Sequence, residues 1–173
     1  MENKFDVKFF IAIGLILLSV ASRLLPLPAN FSPIMAVALF SGIIFSDKKV
    51  AFLIPVSSLL ISDIFLGLHL TMIGVYASFC IIALLGMTIK KLSFKSILTH
   101  SILGAIIFFI ITNFTVWVEG WYSYTALGLV NCYQMAIPFF RNTLVSSIVY
   151  SVILFGGFYL ADRLLSIRLV KKN

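Results

Sequence analysis

Lysine and arginine are sorted between the two ends of this chain's hydrophobic segments. Eleven of the thirteen lie at alternate segment ends, which marks those ends as one side: Lys4, Lys8, Lys48, Lys49, Lys90, Lys91, Lys95, Arg163, Arg168, Lys171 and Lys172. The other two, Arg23 and Arg141, lie at the opposite ends. Because cationic loops stay in the cytoplasm, the sorting predicts an orientation in a membrane. Orientation does not explain Arg23 and Arg141.

The composition agrees with a membrane location. The 173 residues are 61% hydrophobic and 11% charged, whereas a soluble domain carries about 25% charged residues. We therefore predict an all-α integral membrane protein, with residues 1–173 forming a single transmembrane domain. The net charge of +7 comes from short loops and tails, so we predict no nucleic-acid partner.

Six segments are apolar enough to be spanning helices, each of which needs about 20 residues. They cover residues 7–25, 32–45, 50–68, 72–89, 97–118 and 138–162. Six spans place every Lys-rich loop and both termini in the cytoplasm. The Pro-rich loop from Pro26 to Pro33 and the long aromatic loop from Glu119 to Ile137 then lie outside. A five-span alternative without the short second segment would divide the basic loops between the two sides. The first segment has weak features of a signal peptide, but Asp6 dilutes its leading charge, and we expect a transmembrane helix.

Polar and aromatic residues gather at the predicted outer ends of the helices. An ionisable residue at membrane depth is a functional candidate because its burial is costly. Four helices and two loops contribute the candidate substrate-binding residues: Arg23, Asn30, Phe31, Asp63, His69, Asn113, Trp117, Trp121, Tyr122, Tyr133, Gln134, Arg141 and Asn142. Such a set predicts a pocket, open to the outside, for an amphipathic small molecule.

Simpler roles exist for some of these residues. The tryptophans and tyrosines match an interfacial aromatic belt, and Arg23 matches a side chain that reaches the outer headgroups. Arg141 lies in the first turn of a helix, where the helix dipole disfavours a cation. We therefore expect it to pair with Asp63 or Glu119.

The sequence shows no catalytic motif: it has no phosphate-binding glycine loop, no H-E-x-x-H pair and no G-x-S-x-G elbow. We predict neither an enzyme nor a bound cofactor. Cys80 and Cys132 lack zinc-type spacing, although a disulfide between them is possible. Two alternatives remain open: a membrane enzyme that acts on a lipid-linked substrate through Asp63 and His69, and a structural subunit of a larger membrane complex.

Four groups of residues together resemble an uncharacterised bacterial family of small membrane proteins described as transport proteins. They are Arg23-Leu24-Leu25-Pro26 with Asn30-Phe31-Ser32-Pro33; Ser62-Asp63 with Gly67; Thr112-Asn113-Phe114 with Val116-Trp117; and Gly128-Leu129 and Cys132-Tyr133 with Ile137-Pro138-Phe139-Phe140.

The layout is also similar to the S components of energy-coupling factor vitamin transporters. The resemblance implies a multi-pass protein of the bacterial plasma (inner) membrane that captures a vitamin or cofactor-like molecule at its outer face. It also implies a partner, an energising transmembrane subunit with ATPases. The Ala-x-x-x-Ala docking pair of the S-component first helix is absent, and Ala38-x-x-x-Gly42 lies in the second segment. Were the ligand a cobalamin, Cys80, Cys132 or His69 would be candidate cobalt ligands.

Overall fold

This computed structural model describes the backbone of residues 2–165 and the side chains of residues 7–161 and 163. The described residues form seven α-helices and no strand: α1 (Glu2–Leu24), α2 (Ile34–Ile44), α3 (Lys48–Leu66), α4 (Met72–Met87), α5 (Phe94–Val118), α6 (Ala126–Met135) and α7 (Ile137–Leu165). The predictions for the side chain of Lys4 and for Arg168, Lys171 and Lys172 lie outside these described parts.

Four of the helices are long and apolar enough to cross a membrane. They are α1, α3, α5 and α7, with mean hydropathy between 1.8 and 2.1 over their spans. At most 39% of any of these spans is buried inside the bundle, so most of their apolar surface faces outward. The chain is therefore a helical membrane protein, as the composition predicted.

Each of the six predicted segments coincides with a helix. The seventh helix, α6, lies in the stretch between residues 119 and 137, which the sequence had predicted to be an aromatic loop. It starts at Thr125, whose hydroxyl accepts a hydrogen bond from Gly128 N at 3.0 Å. This is a regular N-cap, followed by buried Gly128 and Cys132 one turn apart. The prediction of a loop there was wrong.

The short helix α2 is the centre of the bundle. Ten of its eleven residues are buried, and it contacts α1, α3, α4, α5 and α7. The requirement of about 20 apolar residues applies to a helix that faces lipid along its length. Because α2 is enclosed by other helices, eleven residues are sufficient for its place in the core.

A serine of α2 compensates for the proline inside α3. Pro55 has no N–H, so Ala51 O loses the partner that residue 55 would supply in a regular helix. Ser41 Oγ shares its one proton between Ala51 O and Ala38 O of its own helix, both at 2.9 Å, and the Ser41 side chain is fully buried. The bond satisfies the buried carbonyl and joins α2 to α3.

Helices α2 and α4 approach each other through two glycines. A Cβ added to Gly42 would lie 2.3 Å from Ala83 O, and one added to Gly86 would lie 2.3 Å from Leu39 O. Both distances are far below van der Waals contact, so neither position has room for a side chain. Gly42 belongs to Ala38-x-x-x-Gly42, a small-residue pattern of the kind that lets helices approach closely.

Candidate binding site at the upper end of the bundle

One end of the bundle carries a buried ion pair. At this end, called the upper end here, α1, α3 and α5 finish and α2, α4 and α7 begin. Arg23 Nη2 lies 2.5 Å from Asp63 Oδ1, and Tyr76 donates its hydroxyl to Asp63 Oδ2 at 2.9 Å. The Asp63 side chain is 1% exposed and that of Arg23 is 18% exposed. A carboxylate this buried needs such partners, and the three side chains join α1, α3 and α4.

A cavity of about 340 Å³ lies beside the ion pair, and we call it the first cavity. Its walls come from the end of α1, the Pro-rich loop, and the upper parts of α2, α3, α4, α5 and α7. The lining residues are Ser22, Arg23, Leu25, Leu27, Pro28, Ala29, Asn30, Phe31, Ser32, Ile34, Met35, Asp63, His69, Met72, Val75, Phe79, Phe108, Thr143 and Ser146. The first cavity thus brings together five of the predicted residues: Arg23, Asn30, Phe31, Asp63 and His69.

A second cavity of about 440 Å³ adjoins the first. Five residues line both: Asn30, His69, Val75, Phe108 and Thr143. The remaining lining residues of the second cavity are Thr71, Phe109, Thr112, Asn113, Val116, Tyr122, Cys132, Met135, Ala136, Phe139 and Phe140. Of the predicted site residues, Asn113 and Tyr122 lie here, so the two cavities together hold seven of the thirteen.

The Pro-rich loop that walls the first cavity is fixed to α7 by two hydrogen bonds. Asn142 Nδ2 donates to Ala29 O at 3.0 Å, and Ser146 Oγ shares its one proton between Asn30 O at 3.3 Å and Thr143 O of its own helix at 3.0 Å. Asn30 itself has a φ of 61°, a left-handed conformation that asparagine tolerates better than most residues. Asn142, predicted to bind substrate, therefore holds the loop that encloses the cavity.

In the aromatic turn after α5, Tyr122 lines the second cavity, but the two tryptophans beside it are bonded within the turn and line neither cavity. Trp117 Nε1 donates to Ser123 O at 3.0 Å, and the Trp117 ring packs edge-on against Tyr124. Trp121 is 75% exposed and donates from Nε1 to Glu119 Oε2 at 3.2 Å. The structure therefore places both tryptophans away from the lining of the cavities.

Two further predicted residues lie on α6 outside the cavities. Tyr133 donates its hydroxyl to Ile110 O at 2.7 Å, and its ring packs edge-on against Phe109. This contact fastens α6 to α5. Gln134 is exposed on the same helix and lines neither cavity.

Arg141 has no carboxylate partner among the described residues. It is exposed and borders a shallow third groove with Phe31 and Asn142. Asp63 is bonded to Arg23 instead, and Glu119 Oε2 accepts from Trp121. The expected pairing of Arg141 was wrong, because the cation at the end of α1 occupies the carboxylate on α3.

The three candidate cobalt ligands do not come together. Cys132 lines the second cavity and His69 lines both, whereas Cys80 on α4 lines neither. Burial raises the pKa of the Cys132 thiol, which favours the protonated form that donates to Asn113 O at 3.3 Å. Both cysteines are free, and among the side chains that the structure describes (7–161 and 163) there is no cluster of three His, Cys, Asp or Glu suited to a metal.

Residues 3–168 match the protein family described as "Family of unknown function (DUF6580)". The chain belongs to this family. Neither the curated proteins nor the solved structures gave a significant match to it.

Several residues of the site in this DUF6580 member were not predicted. Tyr76 donates the second hydrogen bond to the Asp63 carboxylate. Phe108, Thr112 and Thr143 line the second cavity. Tyr76 had a visible signal, because a tyrosine hydroxyl in an apolar helix needs a partner when it is buried. Thr112 is one residue from predicted Asn113, but sequence alone does not show which of them faces inward.

Proposed function

We propose that this protein is the substrate-binding membrane subunit of an uptake system for a vitamin or a cofactor-like small molecule. It would lie in the bacterial plasma membrane as a six-span bundle with both termini in the cytoplasm. The upper end would then face outward, and substrate would enter between the Pro-rich loop and α6.

The adjoining cavities carry this proposal. Their volumes of about 340 and 440 Å³ fall in the range of about 300–1,000 Å³ that is typical of small-molecule sites. Their walls are mostly apolar and aromatic, with a few polar groups such as Arg23 and Asn113. That composition suits an amphipathic ligand.

The six-span arrangement is supported by the sorted cations and the helix order. Beyond the four long helices, α2 and α4 are shorter apolar helices. Lys8 Nζ donates to Ile44 O at 3.0 Å, which places the basic start of α1 beside the end of α2. This lower end carries Lys48 and Lys49 at the start of α3 and the lysines of residues 90–95 at the start of α5 and just before it, and the positive-inside rule assigns these lysines to the cytoplasm.

Release into the cell would need a partner and a conformational change. The resemblance to S components supports an energising transmembrane subunit with ATPases, against which the whole bundle would rock. The Ala38-Gly42 pair is not a free docking surface, because Ala38 is fully buried and Gly42 packs on α4. Docking would therefore use other lipid-facing residues.

The alternative of a membrane enzyme gains no support from the site. It relied on Asp63 and His69 as an acid–base pair, but the Asp63 oxygens accept from Arg23 and Tyr76. His69 Nδ1 is 2.8 Å from Thr71 Oγ1, and no hydrogen bond joins His69 to Asp63.

Filling the cavities tests the proposal. Val75 lines both of them, so Val75→Trp should block the site without touching the ion pair. Leu84→Trp is the control, since Leu84 lies on the same helix and is 44% exposed on the outer surface. Protein purified from its native membrane is examined by native mass spectrometry for a bound small molecule, and uptake of that molecule is measured in cells.

We expect a bound molecule in the unmodified protein and in Leu84→Trp, and its loss together with uptake in Val75→Trp. If no small molecule accompanies the protein and Val75→Trp cells take up every tested vitamin normally, the proposal is wrong.

A further inference from the structure

The two cavities hold no uncompensated charge. Among the described residues that line them, the Arg and Asp side chains are Arg23 and Asp63, which form the 2.5 Å ion pair with each other. Asp63 is 1% exposed and both of its oxygens are already bonded. A cationic ligand would therefore find no free carboxylate in either cavity.

An anionic ligand is disfavoured for a related reason. A ligand carboxylate at Arg23 would lie beside the buried carboxylate of Asp63, and like charges in a low-dielectric site repel strongly. Displacing Asp63 from Arg23 would leave a buried charge supported by Tyr76 alone. The electrostatics of the first cavity thus favour an uncharged molecule.

Arg23 nevertheless retains hydrogen-bond donors for such a molecule. A guanidinium carries five N–H groups, and the described residues accept from Arg23 only at Asp63 Oδ1. Arg23 lines the first cavity and is 18% exposed there. The first cavity therefore offers donors, which suit a carbonyl-type oxygen.

Three side chains of the second cavity, Thr112, Asn113 and Thr143, offer acceptor oxygens to a ligand. Thr112 Oγ1 donates to Phe108 O, and Asn113 Nδ2 donates to Phe109 O, both at 2.7 Å. Thr143 Oγ1 donates in the same way to a carbonyl of its own helix at 2.9 Å. Because the hydroxyl protons of Thr112 and Thr143 are used within the helices, these two groups present oxygen lone pairs to the cavity, and Asn113 presents its Oδ1 together with one remaining N–H.

Resting on the proposed function, we infer that the two cavities form one site for an uncharged, ring-bearing molecule with two chemically distinct ends. A carbonyl-type oxygen of the ligand accepts from Arg23. N–H or O–H groups at the other end donate to Thr112 and Asn113. The ring lies against the phenylalanines of the second cavity, among them Phe108 and Phe109, where aromatic surfaces pack favourably.

Matched pairs of probes test the charge preference. Each pair differs by one ionised group: riboflavin and riboflavin 5′-phosphate, nicotinamide and nicotinate, and biotin amide and biotin. Competition with the co-purified molecule is measured by native mass spectrometry of the intact protein in detergent. In each probe pair that binds, we expect the uncharged probe to have at least about 10-fold higher affinity than its ionised partner, which corresponds to about 1.4 kcal/mol of binding free energy.

Two substitutions test the polarity of the site. Thr112→Val keeps the shape of the side chain but removes the acceptor oxygen, and we expect affinity for the co-purified molecule to fall by about 5- to 10-fold. Thr99→Val is the control, because Thr99 lies on the same helix, exposed and outside both cavities. In the double substitution Arg23→Gln/Asp63→Asn, which leaves no buried charge unpaired, binding should weaken about 10-fold while the preference for uncharged probes persists.

The outcomes separate this inference from the proposed function. A co-purified molecule that is charged, anionic probes that compete as well as uncharged ones, or equal affinities in Thr112→Val and Thr99→Val would each overturn the inference. All three results leave uptake through the cavities intact. A protein that carries no small molecule and binds no probe overturns both.

Discussion

Asp63 shows how one buried carboxylate organises the upper end of the bundle. Its side chain bonds Arg23 and Tyr76, and its backbone O accepts from Gly67 N at 2.9 Å, which ends α3. Gly67 has a φ of 94°, a conformation that residues with a Cβ rarely adopt. The same residue thus ties three helices together and fixes the turn that carries His69 into the cavities.

Replacing one member of the Arg23–Asp63 ion pair should lower the free energy of unfolding more than replacing both members. Arg23→Leu leaves Asp63 buried without its counter-charge, a change that typically costs about 3–5 kcal/mol. Arg23→Leu with Asp63→Leu replaces the pair by apolar side chains, which is often close to neutral. Thermal unfolding in detergent compares the stability of the unmodified protein, Arg23→Leu and the double variant. A double variant that is less stable than Arg23→Leu would contradict this account.

At the scale of helices, the position of α2 depends on close contact with its neighbours and on a hydrogen bond that replaces one lost at Pro55. Helix α2 is surrounded by other helices, so its stability depends on its packing and hydrogen bonds with them. Two features of that packing are specific enough to test: the hydrogen bond from Ser41 to the carbonyl freed by Pro55, and the glycine contact between α2 and α4.

The hydrogen bond from Ser41 to Ala51 O should contribute clearly more to stability when residue 55 is proline than when it is alanine. Ser41→Ala leaves buried Ala51 O without its side-chain donor, at a cost of about 1–3 kcal/mol. Pro55→Ala restores an N–H four residues after Ala51 and thereby a regular helical partner. In the Pro55→Ala background, Ser41→Ala should therefore cost clearly less. Equal costs in the two backgrounds, measured by thermal unfolding, would show that the serine does not compensate for the proline.

The glycine contact should tolerate no methyl group. Gly42→Ala or Gly86→Ala places a Cβ about 2.3 Å from a backbone oxygen of the facing helix, so the helices must separate, which typically costs about 1–3 kcal/mol. Gly14→Ala is the control, because a Cβ there meets nothing within 4 Å and alanine favours helix. The unfolding temperature should fall for the first two variants only. Similar stability of all three would mean that α2 and α4 are not packed this closely.

For the molecule as a whole, the sequence predicted how far along each helix a residue lies better than it predicted which side of the helix the residue faces. Charge sorting and hydropathy located six helices, and the depth of Arg23 and Asp63 placed both at the site. Rotation about each helix axis was not predictable, because these helices are apolar on every side and carry little periodic signal. Hence Trp117 was predicted to contact substrate although it packs on Tyr124, and Arg141 was assigned the partner that belongs to Arg23.

The missed helix has a different cause. The sequence between residues 119 and 137 is rich in aromatic and turn-forming residues, which favours the interpretation of a loop. The Thr125 cap and the spacing of Gly128, Cys132 and Ala136 indicate a helix of only ten residues. Such a short helix is stable through tertiary contacts such as that of Tyr133 with α5, and these are not visible in a single sequence.

The orientation of the whole bundle can be tested by cysteine accessibility. In a Cys80→Ser/Cys132→Ser background, Lys49→Cys lies at the exposed lower start of α3, Lys91→Cys in the exposed lower loop before α5, and Ser123→Cys in the exposed upper turn. The positive-inside rule predicts that a membrane-impermeant thiol reagent added to intact cells labels Ser123→Cys only. The two lysine positions should react only after the membrane is opened, which also controls for their intrinsic reactivity. With a cytoplasmic N-terminus, the five-span topology places both lysine positions outside. Labelling of Lys49→Cys and Lys91→Cys in intact cells would therefore contradict the six-span arrangement and place the entrance to both cavities on the cytoplasmic side.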